Sequence, residues 1–293
     1  MLLQIRGSDK DLGGGFHVRR LLPSTSCRAV GPFVFLDHFG PTLVTPGMNI
    51  DVRPHPHIGL ATVTYLLEGA MTHRDSLGSV QRIEPGAINW MSAGRGIVHS
   101  ERTPEDLRQT PYRVHGLQFW CALPKDQEEG EPHFDHTPAD RLAPRVEQGA
   151  EVRVLIGEAF GRLSPVNAAS PTVLLAIKMG DSSEFRLPPL AAELALVPLS
   201  EDLRVDGQAV SRGALAILPP LQSVTISAAA GAESVILGGD ALDGPRHLWW
   251  NFVSSRPERL RQAAEDWAQQ RFDPVPGETE FIPAPALPSA WTP

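Results

Sequence analysis

Prolines and glycines, 28 and 26 of them, interrupt this chain so often that there is little room for a long helix between residue 16 and about residue 240. Each proline removes a backbone donor and fixes φ, and each glycine favours a turn, so the segments between them must be short. Those segments are rich in Val, Ile, Leu, Phe and Thr, as in VGPFVFLDHFG (30–40), ATVTYLLEG (61–69), GAINWMSAG (86–94), VHGLQFWCALP (114–124), TVLLAIKMG (172–180) and GALAILPP (213–220). Short β-branched and aromatic runs bounded by turn residues predict strands, and hence an all-β protein. One helical pattern stands apart, in SSRPERLRQAAEDWAQQRF (254–272). There Ser254 or Ser255 can cap, Pro257 sits in the first turn, and Ser255 with Glu258 forms a capping box. Leu260, Ala264 and Trp267 share one face, which predicts a short helix packed against a barrel. The proline-rich tail after it is expected to lie extended over the surface.

At 293 residues the chain can bury one large core or two moderate ones. Residues 82–91 and 209–218 share a turn, a Gly-Ala pair and an apolar strand, which suggests two β halves. The expected division is an N-terminal barrel over 1–135, a linker over 136–164, and a C-terminal barrel with helix and tail over 165–293. Nine of the ten histidines precede residue 140, so a metal would belong to the first barrel. The net charge of −8 and the absence of a dense Lys/Arg run argue against direct nucleic-acid binding. Residues 1–15 lack an apolar leader core and no eighteen apolar residues run together, so a cytoplasmic protein without a membrane span is expected. Cys27 and Cys121 are too few for a disulfide framework and badly spaced for a thiolate zinc site; both read as small buried hydrophobes.

Chemistry concentrates in two short segments. His55 and His57 stand two apart at the start of a strand-like run, and His99 and Glu101 stand two apart after a glycine-marked turn, AGRG. Strand side chains two apart point the same way, so two neighbouring strands would bring three imidazoles and a carboxylate to one point. Two unrelated polar pairs at strand ends are the alternative on spacing alone. A set of three nitrogens and one oxygen suits Fe(II), Mn(II), Ni(II), Co(II), Cu(II) or Zn(II), with Fe(II) preferred here. An octahedral ion so held keeps two positions for a bidentate substrate, or for a substrate and dioxygen. The GRG of residues 94–96 is a turn placing His99 and not a phosphate loop, since no Lys-Ser/Thr follows.

FVFLDHFGP, HPHIGLATVTYLLEG, PGAINWMSAGRGIVHSE and HGLQFWCALP closely resemble the signature segments of the pirin family, bicupins of the cupin superfamily. GGDALDGPRHLWWNFVSSRPERLRQA and VPGETEFIP resemble its bacterial members. The resemblance implies two stacked cupin (jelly-roll) β-barrels with one mononuclear metal, usually iron, in the first. Its ligands fall on His55, His57, His99 and Glu101. Thr62 stands where the first cupin motif usually has Glu, and Glu101 supplies the carboxylate instead, as in pirins. No histidine stands near residues 213–218, which resembles the metal-free second barrel of the family.

The resemblance further implies a metal-dependent flavonol dioxygenase of the quercetin 2,3-dioxygenase type, with ring cleavage by O2 and release of CO, and with Glu101 as general base. A non-catalytic metal module that binds a transcription factor or metabolic enzyme is the competing reading, its contacts carried by loops and the acidic connector 125–140. Sugar isomerisation lacks the Arg/Lys cluster that would hold a phosphate. Phe33, Phe35, Trp90 and Met91 are candidates for an aromatic pocket, although a barrel core needs the same residues. His38 and His115 are read as structural or as orienting a ligand, Asp37 as bonding backbone in a turn, and His247 as packing where the barrels meet. His17, His73, His133 and His136 are expected to be solvated.

Overall fold

In the computed structural model, residues 1–13, 15–181 and 183–288 are described. Strand alternation builds two barrels, each from a seven-stranded and a four-stranded antiparallel sheet. The large sheet of the first barrel runs His133–Thr137, Ile88–Ser92, Leu60–Glu68, Tyr112–Ala122, Phe33–Val44, His17–Leu22, Ser8–Asp11. Its small sheet runs Val52–His57, Ile97–Arg102, Met71–Asp75, Val80–Ile83. The second barrel repeats the plan, with Gln208–Val210 in its small sheet followed by Leu215–Ile217 in its large one, as Val80–Ile83 is followed by Ile88–Ser92. The weak internal repeat thus marks the same passage from small to large sheet in both halves.

Period-two alternation divides the apolar residues among three places. Leu117, Phe119 and Cys121 share one cluster with Leu174, Leu237 and Leu215, so the two large sheets pack against each other through their outer faces. Val173, Leu175 and Ile177 turn the other way and fill the second barrel together with Phe185, Leu187, Ile226 and Ile236. That interior is close-packed and apolar. In the first barrel the inward positions Gln118 and Trp120 instead face a cavity.

The strand pairing divides the chain differently from the boundaries expected at 135 and 165. Gln4–Ile5 pairs with Leu215–Ile217, an edge of the second barrel's large sheet. Arg145–Glu147 and Ala150–Ile156, within the expected linker, are strands of that same sheet. The end of the chain returns to the first barrel: the hairpin His247–Trp249/Phe252–Ser254 and helix Pro257–Ala268 pack Phe252, Leu260, Ala264 and Trp267 onto Ile58 and Val98. Unpaired edges and apolar faces draw in whichever segment can cover them, and sequence proximity does not decide which. Gly59 shows how close the hairpin sits, because a Cβ there would lie 2.0 Å from the Val253 carbonyl oxygen, at a φ of +65°.

The helix forms on the expected apolar face but without the expected capping box. Arg256 is its N-cap, and no side chain caps it. Ser255 is engaged elsewhere, its amide and hydroxyl both donating to the Glu128 carboxylate. The two cysteines are unpaired, Cys121 buried and Cys27 half-buried, and burial pushes both thiols up. Among the described residues no helix is long and apolar enough to cross a membrane.

Candidate metal centre

Strand Val52–His57 lies antiparallel to Ile97–Arg102, with His99 opposite His55 and Ile97 opposite His57. The turn before His99 closes through Gly96, whose amide donates to the Ala93 carbonyl. His55, His57 and His99 are all buried, and one ring nitrogen from each lies within 4.8 Å of the others. The Nδ1 atoms are already used. His55 Nδ1 donates to the Arg53 carbonyl (2.8 Å), His57 Nδ1 to the Asn251 carbonyl (3.1 Å), and His99 Nδ1 meets His73 Nδ1 (3.4 Å).

A neutral imidazole that donates through Nδ1 keeps a lone pair on Nε2. His57 Nε2 and His99 Nε2 face each other at 3.1 Å. If His99 donates from Nδ1, both nitrogens carry lone pairs, which at that distance repel unless a cation or a proton lies between them. Two ligands at right angles on one ion, each about 2.1 Å from it, are about 3 Å apart, so the observed spacing suits a shared metal. The charge states agree. Burial lowers His55 to about 4 and holds His57 and His99 well below the ordinary histidine range, His99 additionally through its three imidazole neighbours. All three are therefore uncharged at neutral pH, the form a metal requires.

Glu101 lines the same cavity but lies outside the 4.8 Å group. A bulge between His99 and Glu101 shifts the register against Val52–His57, so that Glu101 stands opposite Val52. The extra residue lies in Val52–His57, three steps from Val52 to His55 against two from Glu101 to His99, so that strand bends while Ile97–Arg102 stays regular against Met71–Asp75. Burial raises the Glu101 carboxyl to about 7, with no charge partner opposing it.

The cavity measures about 410 Å³, within the usual range for small-molecule sites. Phe35 stacks on Trp120 at 3.9 Å, and the Arg20 guanidinium lies 4.4 Å over the Phe35 ring while binding Asp37 through two hydrogen bonds of 2.9 and 2.8 Å. Phe16, Phe39 and Met71 continue the apolar wall. The last wall comes from the far end of the chain, as Trp250, Asn251 and Ile282. Ile282 is held from both sides, its amide donating to the Pro54 carbonyl and its carbonyl accepting from Trp267 Nε1. The tail through residue 288 is thus extended, as expected, yet it also closes the site, and residues 289–293 lie outside the described residues. Glu278 is buried against Ser100 and Arg102 beside the ligand strand.

Several expectations change. Of the four pocket candidates Phe35 lines the cavity, while Phe33 and Trp90 lie in the cluster between the sheets and Met91 packs with Ala93 and Ile97. Asp37 sits within strand Phe33–Val44 and binds Arg20, not turn backbone. His38 and His115 bond each other through Nε2 at 2.8 Å, and His38 lines a different cleft, with Arg19 and Arg212. His17 and His133 are exposed, and His136 is half-buried on Asn89. His73 is not solvated. It is buried, stacked on Phe134 at 4.2 Å, and donates from Nε2 to Asp75 Oδ2 at 2.9 Å. Its spacing, His73 and Asp75 two apart in MTHRD, matches that of the ligand pairs and was the available signal.

Comparison with known proteins gives the family. A family model described as Pirin matches residues 15–121, and one described as the Pirin C-terminal cupin domain matches residues 174–273. A pirin-like protein of Caulobacter vibrioides is 43% identical over 280 residues, covering 94% of this chain and 96% of that one. The chain belongs to the pirin family. Among solved structures, a quercetin 2,3-dioxygenase from Acinetobacter baumannii superposes with a TM-score of 0.91 at 34% identity, covering 99% of this pirin and 96% of that chain. A pirin from Escherichia coli in complex with nickel(II) superposes with a TM-score of 0.66 at 18% identity, covering 83% and 100%, and shares the fold. In this pirin, then, two cupin domains are present, and the histidine triad of the first can hold a metal.

Proposed function

We propose that His55, His57, His99 and Glu101 hold one mononuclear divalent metal, Fe(II) in the first instance, and that the chain is a dioxygenase of flavonol-like phenolics. The observation that carries this reading is the placement of three uncharged imidazoles, two with facing Nε2 lone pairs, at the wall of an aromatic-lined cavity of about 410 Å³. The similarity to the quercetin 2,3-dioxygenase of Acinetobacter baumannii supports the substrate class. When bound, the metal would supply Lewis acidity toward a chelating hydroxyl-carbonyl pair.

The chain's own residues do the rest. Phe35, on its Trp120 stack, offers a flat face to a planar ring, and Phe16 and Phe39 bound the slot. Arg20 lies over Phe35 and is itself neutralised by Asp37. As the general base, Glu101 would loosen from the metal and accept the proton of the substrate's 3-hydroxyl on a carboxylate oxygen. Trp250, Asn251 and Ile282 close the cavity from the C-terminal side and limit water.

The test is anaerobic loading with Fe(II), addition of quercetin and then air, with flavonol absorbance and carbon monoxide followed together. Metal-dependent bleaching with CO release, absent in His57→Ala, is expected. One metal per chain with no bleaching and no CO refutes the dioxygenase reading and leaves a metal-binding module.

A further inference from the structure

Behind the proposed ligands lies a second, fully buried polar chain. Strand Met71–Asp75 runs beside Ile97–Arg102, with Asp75 opposite His99 and His73 opposite Glu101. His99 Nδ1 meets His73 Nδ1 at 3.4 Å, and His73 Nε2 meets Asp75 Oδ2 at 2.9 Å. Asp75 Oδ1 accepts the amides of Leu77 (2.9 Å) and Ser79 (3.0 Å). The Asp75 side chain is fully buried and His73 and His99 nearly so, and the His73 ring is clamped against Phe134.

With a neutral His73 these contacts permit one arrangement of protons along the chain. A carboxylate only accepts, so His73 Nε2 carries a hydrogen and, in the neutral ring, His73 Nδ1 carries a lone pair. That lone pair requires His99 to donate from Nδ1. His99 Nε2 is then left bare, aimed at His57 Nε2. The negative end of the series is anchored by two backbone amides in a turn, and the far end is the proposed metal position.

We propose that Asp75 and His73 form a positioning relay that fixes the tautomer and ring orientation of His99 and pushes electron density onto its metal-binding nitrogen. The other two ligand histidines donate to neutral backbone carbonyls, so His99 is the one strengthened by a carboxylate. This rests on the metal-site reading above. It adds that the three imidazoles are unequal, His99 being the strongest donor. Partners at this distance from a metal typically change its affinity by about 10–100-fold.

Asp75→Asn tests the polarity of the chain. Its side-chain oxygen can still accept the Leu77 and Ser79 amides, but its NH2 now faces His73 Nε2. The His73 tautomer must flip; without metal His99 can flip with it and donate from Nε2 to His57, but a metal on His99 Nε2 forces two N–H groups to confront each other between His73 and His99. His73→Phe removes both nitrogens and keeps the ring stacked on Phe134. Binding of Co(II) and Ni(II) is measured by competition with a chromophoric chelator, together with the Co(II) ligand-field spectrum and melting of each metal-free protein.

The expected result is a 10–100-fold weaker affinity in both variants, a shifted Co(II) spectrum, and for Asp75→Asn a metal-free melting temperature close to that of the wild type. Wild-type affinity and spectrum in either folded variant overturn the relay while leaving the metal site intact. A variant whose metal-free melting falls while its Co(II) spectrum is unchanged also overturns it, by showing a structural role alone. Failure of the wild-type protein to bind either metal overturns the metal-site reading, and the relay with it.

Discussion

Glu101 offers a direct measure of how dry the proposed site is. In the metal-free protein its carboxyl is raised from 4.5 to about 7 by burial alone. A carboxyl raised on folding destabilises the native state at high pH, because the unfolded chain ionises first. Below pH 4.5 both states hold the proton and nothing is lost. Between 4.5 and about 7 stability falls as pH rises, and above 7 the full penalty is present. At about 1.36 kcal/mol per pH unit the window corresponds to roughly 3 kcal/mol, and because Glu101 keeps an edge on the cavity we expect about 2 kcal/mol. Glu101→Gln removes the charge with little change in shape. Metal-free Glu101→Gln should therefore melt with the wild type at pH 4.5 and above it at pH 8, while binding metal more weakly. The experiment is thermal melting in chelator from pH 4.5 to 8. The histidines titrate in both proteins, so the difference curve isolates residue 101. A difference that is flat with pH would mean that Glu101 is solvated, and the burial argument would fail.

Other outcomes follow from specific contacts. His57→Ala should reduce bound Fe(II) from one per chain to well below it and abolish the metal-induced rise in melting temperature, worth about 2.7 kcal/mol at a hundredfold excess over Kd; an undiminished rise would place the metal elsewhere. Gly59→Ala puts a methyl 2.0 Å from the Val253 oxygen at a φ of +65°, and should destabilise by about 3 kcal/mol or more in chemical denaturation. A loss under about 1 kcal/mol would show that the hairpin moves away freely. Glu128 and Arg246 are 2.7 Å apart with both side chains 2% exposed, and Glu128 also takes the Ser255 amide. Glu128→Ala should cost about 3 kcal/mol and, by loosening the hairpin that carries Asn251, weaken Co(II) binding as well. Phe35→Leu should raise KM for a planar phenol more than it lowers kcat, and an unchanged KM would remove Phe35 from the substrate wall.

Much of the site was legible because the strand is a local structure. Two residues of separation put His55 with His57, and His99 with Glu101, on one face wherever those strands go. The same rule applies to His73 and Asp75, yet their setting near a turn suggested solvent, and only the pairing of Met71–Asp75 with Ile97–Arg102 buries them. Phe33 and Phe35 differ for a similar reason. Both have strand spacing, but the register breaks where Cys121 pairs with Phe33, so Phe33 joins the cluster between the sheets and Phe35 the cavity. The capping box failed because Ser255 had a stronger partner in Glu128, a carboxylate 127 residues away.

By itself the sequence determined the all-β class, the two-barrel plan, the family and the three histidines whose nitrogens meet, since all of these rest on local period, turn residues and short motifs. Tertiary structure decided which segments complete which barrel, that the second interior is filled while the first keeps a cavity, and that Asn251 and Ile282 wall a site nearly two hundred residues or more from its first histidine. It also decided the charge states, because a histidine or carboxyl is shifted by the water it loses, and that loss depends on every segment packed around it.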